Sequence, residues 1–165
     1  MSELELRSAR SDDDLGAAGG VVQRAYFAIP GYPRDPVYDE EIGDVAGRMD
    51  AATVLLALRD GVVVGCATYI AEHDHPHAEH DDPEAATFRA FAVAPEAQGA
   101  GVGSMMLEWL SAQAVADGKP RIRIHTLECM TAAKRTYERA GYRRDPERDE
   151  DWDGVLGLAY VLDLV

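Results

Sequence analysis

The sequence predicts one domain of the mixed α/β (α+β) class, and three observations favour it. A chain of 165 residues can bury most of its apolar surface in a single core. Stretches with the period of a strand alternate with stretches with the period of a helix, in the order β-α-α-β-β-β-α-β-α-β. No repeat, low-complexity tract or long linker divides the chain, so residues 1–165 are expected to form one domain.

The first elements follow from alternation and from capping residues. Residues 4–9, LELRSA, alternate apolar and polar side chains and predict a strand. Ser11 or Asp12 suits the N-cap of the helix that follows, because carboxylates in a first turn complement the helix dipole. After a loop rich in proline and glycine, residues 37–49 predict a second helix.

The middle of the chain predicts a hairpin and then a third strand of the same sheet. Two runs rich in β-branched residues flank Arg59-Asp60-Gly61, and glycine accepts the positive φ that a tight turn needs. A histidine-rich loop comes next. Residues 86–95, ATFRAFAVAP, then predict another strand that Pro95 closes.

The last third alternates between helix and strand. Helical period begins at Gly101 and stops near Gly118. Residues 121–127, RIRIHTL, predict a strand, residues 130–142 predict a helix that Gly141 ends, and residues 156–165 predict the final strand.

The charge and the cysteines bound the class of protein. The formal net charge is −14, which argues against nucleic acid as a partner and would favour a cationic or amine-bearing substrate, although acidity is also a general route to solubility. No apolar run approaches a membrane span and the first residues lack a secretory signal, so a cytoplasmic protein without a membrane partner is expected. Cys66 and Cys129 stand in unrelated contexts and are expected to stay reduced.

The segment FAVAPEAQGAGVGSMMLEWL, residues 91–110, carries the clearest chemical signal. A strand runs into a glycine-rich turn and a helix begins at once, so the free N–H groups of the first helical turn can hold a phosphate. A purely structural tight turn is the alternative. The segment fits neither the Walker A motif nor the dinucleotide fingerprint, because no Lys-Ser/Thr pair follows and Ser104 stands where the last glycine would be.

The turn, Gln98 to Gly103, reads Q-x-x-G-x-G and resembles the acyl-CoA signature of the GCN5-related N-acetyltransferase (GNAT) superfamily. Residues 130–142, MTAAKRTYERAGY, resemble the second signature of that family, and the likeness extends to the order of elements over nearly the whole chain. The resemblance implies a GNAT-like fold: a central, mostly antiparallel twisted sheet of about six to seven strands, flanked by about four helices.

The resemblance also implies a function and a site. The expected activity is transfer of an acetyl group from acetyl-CoA to an amine of a small molecule or peptide, by direct attack. Tyr137 is expected to be the general acid for the leaving thiolate, although it could merely pack in the core. A main-chain N–H near Val93 would stabilise the oxyanion. The expected cofactor-binding residues are Phe91, Ala92, Val93, Gln98, Gly99, Ala100, Gly101, Val102, Gly103 and Ser104.

Two positions depart from the family pattern. Met130 stands where the family often has an asparagine that contacts the pantetheine arm. Thr87 stands where some members have a glutamate base. Glu84 is the substitute candidate for the catalytic base, acting through water, with His77 or His80 as alternatives, and Arg89 could orient a substrate carboxylate.

The loop EHDHPHAEHDD, residues 72–82, holds four of the five histidines of the chain. Alternate histidines of an extended segment could bind zinc or nickel. Pro76 and the lack of distant ligands favour a solvated connection instead, so no metal is expected. The loop is expected near the acceptor entrance, where its carboxylates could attract a cationic acceptor.

Other possibilities stay open at this point. A non-catalytic acyl-CoA sensor on the same fold is the alternative function, since it would keep the glycine-rich turn without needing Tyr137. A homodimer is compatible with the resemblance. The aromatic residues around the loop between the first two helices could line an acceptor pocket: Tyr26, Phe27, Tyr32 and Tyr38.

Overall fold

The computed structural model describes residues 3–49 and 52–164. This part of the chain holds five α-helices, named α1 to α5 in chain order: Leu15–Phe27, Pro36–Gly43, Val45–Arg48, Val102–Ala116 and Thr131–Arg139. It also holds eight strands, named β1 to β8: Leu4–Ser8, Thr53–Arg59, Val62–Ile70, Ala85–Val93, Arg121–Leu127, Arg143–Arg144, Glu150–Trp152 and Val155–Asp163. Short 3-10 turns cover Pro95–Ala97 and Pro146–Arg148.

The strands form one sheet in the order β1-β2-β3-β4-β5-β8-β6, and β7 pairs with β8. Neighbouring strands are antiparallel except β4 and β5, which are parallel. The predicted mixed class and mostly antiparallel sheet are confirmed. The described residues hold more strands than the six to seven expected, because β6 and β7 are short polar segments, RR and EDW, without apolar alternation.

The turn between β2 and β3 is as predicted. Asp60 and Gly61 are its two residues, with φ angles of 54° and 76°. Such positive angles suit the twist of a two-residue hairpin. The strand predicted over residues 121–127 matches β5, and the last predicted strand is β8, with Val165 outside the described residues.

Two helix predictions need correction. The N-cap of α1 is Asp14, whose carboxylate accepts the N–H of Ala17 at 2.9 Å, and not Ser11 or Asp12. The single helix expected over residues 37–49 is two helices, because Asp44 ends α2 and its carboxylate accepts the N–H of Gly47 at 3.0 Å as the cap of α3. At Asp14 and at Asp44, the aspartate side chain bonds the main-chain N–H three residues further on, so a helix begins after each of them.

Both faces of the sheet are covered. Leu55 and Ala57 of β2 pack in the same cluster as Met106 of α4 and Tyr137 of α5. The alternating residues, Val54, Leu56 and Leu58, pack in a second cluster with α1 and α2. Because successive strand residues point to opposite faces, β2 reads as an almost continuous apolar run, TVLLALR.

Helices α1 and α2 approach each other closely through two glycines. A Cβ atom on Gly19 would overlap the main-chain carbonyl of Gly43, whereas a Cβ on the adjacent Gly20 would meet nothing within 4 Å. The side chain of Gln23 donates to the carbonyl of Asp39 at 3.0 Å across the same contact. Backbone contact therefore fixes α2 against α1.

A buried arginine fixes the other end of α2. Arg48 is 3% exposed and donates to the carbonyls of Glu41 and Ile42 at 2.6 and 2.8 Å. Its Nε donates to the hydroxyl of Thr68 on β3 at 3.0 Å. The guanidinium thus satisfies the last carbonyls of α2, where the helix dipole favours a cation, and ties this helix to the sheet.

Strands β4 and β5 pair over only two residue couples and then separate. The pairs are Ala85 with Arg121 and Ala86 with Ile122. The point where the two strands separate is called the vertex. There, one carboxylate oxygen of the buried Asp82 accepts hydrogen bonds from Arg121 and Arg123 at 2.7 Å each. Burial alone would raise the pKa of Asp82, but the bonds from the two arginines outweigh it and hold that pKa well below its usual range.

Substitution of adjacent glycines tests the helix contact. Gly19→Ala is expected to lower the free energy of unfolding by about 1–3 kcal/mol, because the new methyl group must displace backbone atoms of α2. Gly20→Ala is the matched control and should raise it by about 0.5–1 kcal/mol, since alanine is the better helix former. Urea denaturation of both variants measures the two changes, and equal values would contradict the contact.

Asp82→Asn tests the vertex. We expect a loss of about 3 kcal/mol in the free energy of unfolding, because two arginines would lose their buried carboxylate. Since folding lowers the pKa of Asp82, its stabilisation is complete above the unfolded pKa of about 4 and disappears as the pH falls below it. Denaturation of both proteins between pH 7 and pH 2 should therefore show that the difference in their free energies of unfolding becomes smaller as the pH falls.

Glu84→Gln is the control for that experiment. The Glu84 carboxylate also bonds Arg121, at 2.8 Å, but its side chain is 66% exposed. Exposed ion pairs contribute about 0–1 kcal/mol, so this variant should change stability by less than about 1 kcal/mol. A larger loss for Glu84→Gln than for Asp82→Asn would refute the role of Asp82.

Candidate active site

The gap between β4 and β5 opens into a cleft of about 1500 Å³. Its walls come from both strands, the loop between α1 and α2, the start of α4, one face of α5 and the β7–β8 hairpin. All predicted cofactor-binding residues except Ala100 line this cleft, and Ala100 is exposed on the turn beside it. The separation of two strands therefore brings the motif residues together around one space.

One end of the cleft is formed by the glycine-rich turn. Gly99 and Gly101 have φ angles of 83° and 85°, and α4 begins at Val102. The N-cap position of α4 is Gly101, and no side chain caps this end of the helix. The N–H groups of its first turn are therefore free to bind an anion, and the positive end of the helix dipole lies behind them.

Gln98 has a structural task in this turn. Its side-chain amide donates to the carbonyl of Val93, the last residue of β4, at 3.0 Å. This bond ties the turn to the strand end. A Cβ on Gly103 would lie 3.7–3.8 Å from Phe91, Val93 and Thr136, at ordinary van der Waals distance, so α4 begins beside β4 and α5.

A bulge in β4 shapes the wall beside the turn. The register with β3 shifts so that Cys66 faces Ala92 while Thr68 faces Arg89, and Ala90 has a φ of 51°. The extra residue reverses the alternation: Phe88 packs in one core cluster, whereas Ala90 and Ala92 pack in the other. Ring centroids of Phe88 and Phe91 consequently lie 5.5 Å apart on one side.

The main chain of β4 faces the cleft with unused hydrogen-bonding groups. In the described residues, its ladder with β5 ends at Ala86. The N–H of Ala94 donates back to Val64 of β3 at 2.8 Å. Because N–H groups alternate in direction along an extended chain, the N–H of Val93 points away from β3, toward the cleft.

Tyr137 lies in the wall formed by α5. Its ring packs against Phe88, Phe91 and Tyr142, with centroids 5.8–6.0 Å apart. The residue is 5% exposed and lines the cleft, and its hydroxyl makes no hydrogen bond with any described residue. Burial raises the pKa of Tyr137 well above its usual value, so its hydroxyl keeps its proton at neutral pH.

The other end of the cleft is built around Arg89 of β4. Its guanidinium donates to Nδ1 of His77 at 3.2 Å and lies 3.7 Å from Glu79 and 3.8 Å from Glu41. Burial raises the pKa of Glu79, and burial together with Arg89 lowers that of His77. A guanidinium cannot accept a hydrogen bond, so Nδ1 of His77 is the acceptor and the proton of this ring is on Nε2.

The opposite wall of that end comes from β5 and the β7–β8 hairpin. His125 and Trp152 have ring centroids 5.5 Å apart, and the indole N–H of Trp152 donates to Glu150 at 2.9 Å. Trp152 is 37% exposed, which leaves part of its ring open to the cleft. Asp153 lines the cleft next to it.

Several candidate residues lie elsewhere. Glu84 is bonded to Arg121 and is not among the described residues that line the cleft. Thr87 and His77 do line it, whereas His80 accepts the N–H of Asp82 at 3.1 Å and faces a second, smaller pocket. The histidine-rich loop therefore reaches the cleft through His77 and Glu79.

Sequence reasoning did not single out Glu79, His125 or Trp152. His125 has a signal in hindsight, because it is a polar residue at an outward position of an alternating strand, as are Arg121 and Arg123. Trp152 lies in a three-residue strand that no periodicity marks. Among the described residues there is no group of three or more histidine, cysteine or acidic side chains that could hold a metal ion, and no helix long and apolar enough to cross a membrane.

Comparison with known proteins agrees with this geometry. The sequence model of the Acetyltransferase (GNAT) family matches residues 22–142, and the chain belongs to that family. It is 30% identical over 141 residues to a mycothiol acetyltransferase of Sanguibacter keddieii, covering 86% of this chain and 44% of that protein. The chain thus spans less than half the length of this curated relative.

Two solved structures share the fold. The PaiA N-acetyltransferase of Thermoplasma acidophilum, in complex with coenzyme A, superposes with a TM-score of 0.75 at 14% identity, over 98% of this chain and 99% of that one. YncA of Salmonella typhimurium, solved with its cofactor acetyl-CoA, gives a TM-score of 0.70 at 19% identity, over 98% of this chain and 94% of that one.

The two solved structures contain coenzyme A and the acyl donor acetyl-CoA, respectively. The residues present fit the donor. The uncapped first turn of α4 offers N–H groups to phosphates, and the open edge of β4 offers main-chain partners to an extended amide-bearing arm.

Proposed function

We propose that the protein transfers an acetyl group from acetyl-CoA directly to an amine of a small molecule or peptide, with Tyr137 as the general acid. The observation that carries this proposal is the convergence of three groups on one cleft: the free N–H groups of α4, the inward N–H of Val93 and the unbonded hydroxyl of Tyr137. Acyl transfer needs an anion holder, an oxyanion donor and a proton donor for the leaving group.

Binding of the donor rests on the turn from Gln98 to Ser104. Its main-chain N–H groups would hold the diphosphate, and Gln98 keeps them in place through its bond to Val93. Two cations of α5, Arg135 and Arg139, also line the cleft. In a chain with a net charge of −14, this local positive charge favours a polyanionic ligand at that end.

The reacting centre would lie where Val93 and Tyr137 face each other across the cleft. When bound, acetyl-CoA supplies a thioester carbonyl that an amine can attack. The N–H of Val93 would stabilise negative charge on the carbonyl oxygen, and its direction away from β3 supports this role. Tyr137 retains a proton at neutral pH and can give it to the departing sulfur.

The end of the cleft around Arg89, called the acceptor end, favours a cation. Glu79, Asp153 and Asp35 line it, and Trp152 adds an aromatic face, which attracts cations. Arg89 is already surrounded by two carboxylates and a histidine, so its charge is offset. The proposal assigns this activity to one domain, residues 1–165, acting in the cytoplasm, where the free thiols of Cys66 and Cys129 would stay reduced.

Release of free thiol from acetyl-CoA, followed across a panel of amines, amino acids, antibiotics and peptides, tests the activity. We expect turnover with at least one cationic amine and none without an acceptor. Tight binding of acetyl-CoA without turnover for any acceptor would favour a non-catalytic sensor.

Tyr137→Phe tests the general acid. Its kcat should fall by about 100-fold or more, while the Kd for CoA stays within twofold, because only the proton donor is removed. Tyr142→Phe is the matched control: this residue packs in the same aromatic cluster, and its buried hydroxyl has no partner in the described structure. Equal kcat values for the two variants would rule out the role of Tyr137.

Gly101→Ala tests the phosphate cradle. Both Gly101 and Gly118 have positive φ, 85° and 74°, with open space around the missing Cβ, and they lie at opposite ends of α4. Alanine therefore strains the backbone at both, but only Gly101→Ala should disturb the N–H groups that face the cleft. Calorimetry should show a tenfold or greater increase in the Kd for CoA for Gly101→Ala. A similar increase for Gly118→Ala would mean that general destabilisation explains the effect.

A further inference from the structure

His125 lies between the cleft and a second pocket of about 830 Å³. That pocket is lined by β5, by the loop before β4 and by residues 147–150. Among the described residues, His125, Ile124 and Glu79 line both spaces. The two pockets therefore meet at a histidine and a carboxylate, beside the acceptor end.

The structure determines the tautomer of His125. Its Nε2 lies 3.0 Å from the main-chain carbonyl oxygen of Arg148. A carbonyl oxygen only accepts, so the proton of the neutral imidazole is on Nε2. Nδ1 then carries a lone pair, and no described residue donates to it. The ring of Trp152 contacts the imidazole in a T-shaped arrangement, with centroids 5.5 Å apart.

His125 also has the right position on the sheet. It lies three residues beyond Ile122, the last residue of β5 that pairs with β4, and Arg89 lies three residues beyond Ala86, the partner of Ile122. The two residues thus occupy matching positions on the two diverging strands. His125 shares a face of β5 with Arg121 and Arg123, which bind Asp82 below the acceptor end.

Three other titratable groups of the acceptor end are already engaged. The carboxylate of Asp35 accepts the N–H groups of Val37 and Tyr38 as the cap of α2. Nδ1 of His77 accepts from Arg89, and Glu79 lies against the same guanidinium. These groups shape the electrostatic potential, while the lone pair on Nδ1 of His125 stays unused.

We propose that His125 is the general base of the reaction and that its Nδ1 accepts the proton which the acceptor ammonium must lose. This inference rests on the proposed acetyl transfer. One N–H bond of the ammonium breaks and an Nδ1–H bond forms, which frees the nitrogen lone pair. The C–N bond then forms as the C–S bond breaks, and the proton of Tyr137 passes to sulfur. The nitrogen gives up its second proton as the amide forms, and that proton restores the hydroxyl of Tyr137.

The charged groups around His125 suit that role. Glu79 faces it from the loop before β4, and Glu150 faces it from the segment before β8. Asp149 of that segment also faces it, but both of its carboxylate oxygens are bonded to Arg144, at 2.7 and 2.8 Å. Burial lowers the pKa of His80 to about 4, so this neighbour is neutral at pH 7. Arg148, the remaining cation of that segment, pairs with Asp81. Arg123, which shares this face of β5, is bonded to Asp82 and Asp145. The carboxylates of Glu147 and Glu150 pair with no arginine of the described residues, and they attract an ammonium group to Nδ1.

His125→Gln tests the base, because the glutamine amide can keep the bond to the Arg148 carbonyl while the basic nitrogen is lost. Propylamine, which is protonated at pH 7, and trifluoroethylamine, which is mostly neutral, serve as acceptor probes at high concentration. With propylamine at pH 7, kcat/KM should fall about 100-fold or more, because the ammonium then has no base to take its proton. With trifluoroethylamine the loss should stay below tenfold.

The controls separate this inference from the proposed function. His75→Asn retains a side-chain acceptor for the N–H of His77 and alters a histidine outside the cleft lining, so it should react like wild type. Equal losses for the two probes in His125→Gln would overturn the base role while leaving acetyl transfer intact. Nitrogen-15 NMR of the CoA-bound wild type gives a reading without turnover: a neutral His125 with its proton on Nδ1 would also overturn it.

Discussion

The early separation of β4 from β5 is the constraint on which the site depends. A sheet normally satisfies every main-chain group of an inner strand, but here the ladder ends after two pairs. The open edge of β4 is thereby available to a ligand, and the gap admits the rings and loops that line the cleft. Asp82 holds the vertex by bonding both arginines of β5, which fixes where the separation begins.

The bulge at Ala90 complements this separation. It turns Phe91 toward Tyr137 and places Ala90 and Ala92 against α1, so one strand serves both cores within a few residues. The close glycine contact between α1 and α2, together with the buried Arg48, then fixes the wall that carries Tyr38 and Glu41. The acceptor end is thus supported by backbone contact and by a buried guanidinium.

Charge divides the cleft into two ends. The donor end has the uncapped α4 and two arginines of α5, whereas the acceptor end has carboxylates from three separate segments around a partly offset Arg89. In a chain with a net charge of −14, a polyanion would be repelled by most of the surface, so a local concentration of N–H groups and guanidinium groups is needed to bind one. Under the proposed acetyl transfer, the same acidity would attract a cationic acceptor.

The sequence by itself determined most of the elements, because alternation, helical period, the Asp60-Gly61 turn and the two family signatures are local patterns. It predicted the class, the mostly antiparallel sheet, the glycine-rich turn and the place of Tyr137 in the second signature, but neither the short strands β6 and β7 nor the break between α2 and α3. Only the tertiary structure decided which side chains meet. Glu84, near Thr87 in sequence, is turned to Arg121, while Glu79, His125 and Trp152 converge from three distant segments. Such convergence depends on strand register, on the bulge and on where two strands part, and none of these leaves a local pattern in the chain.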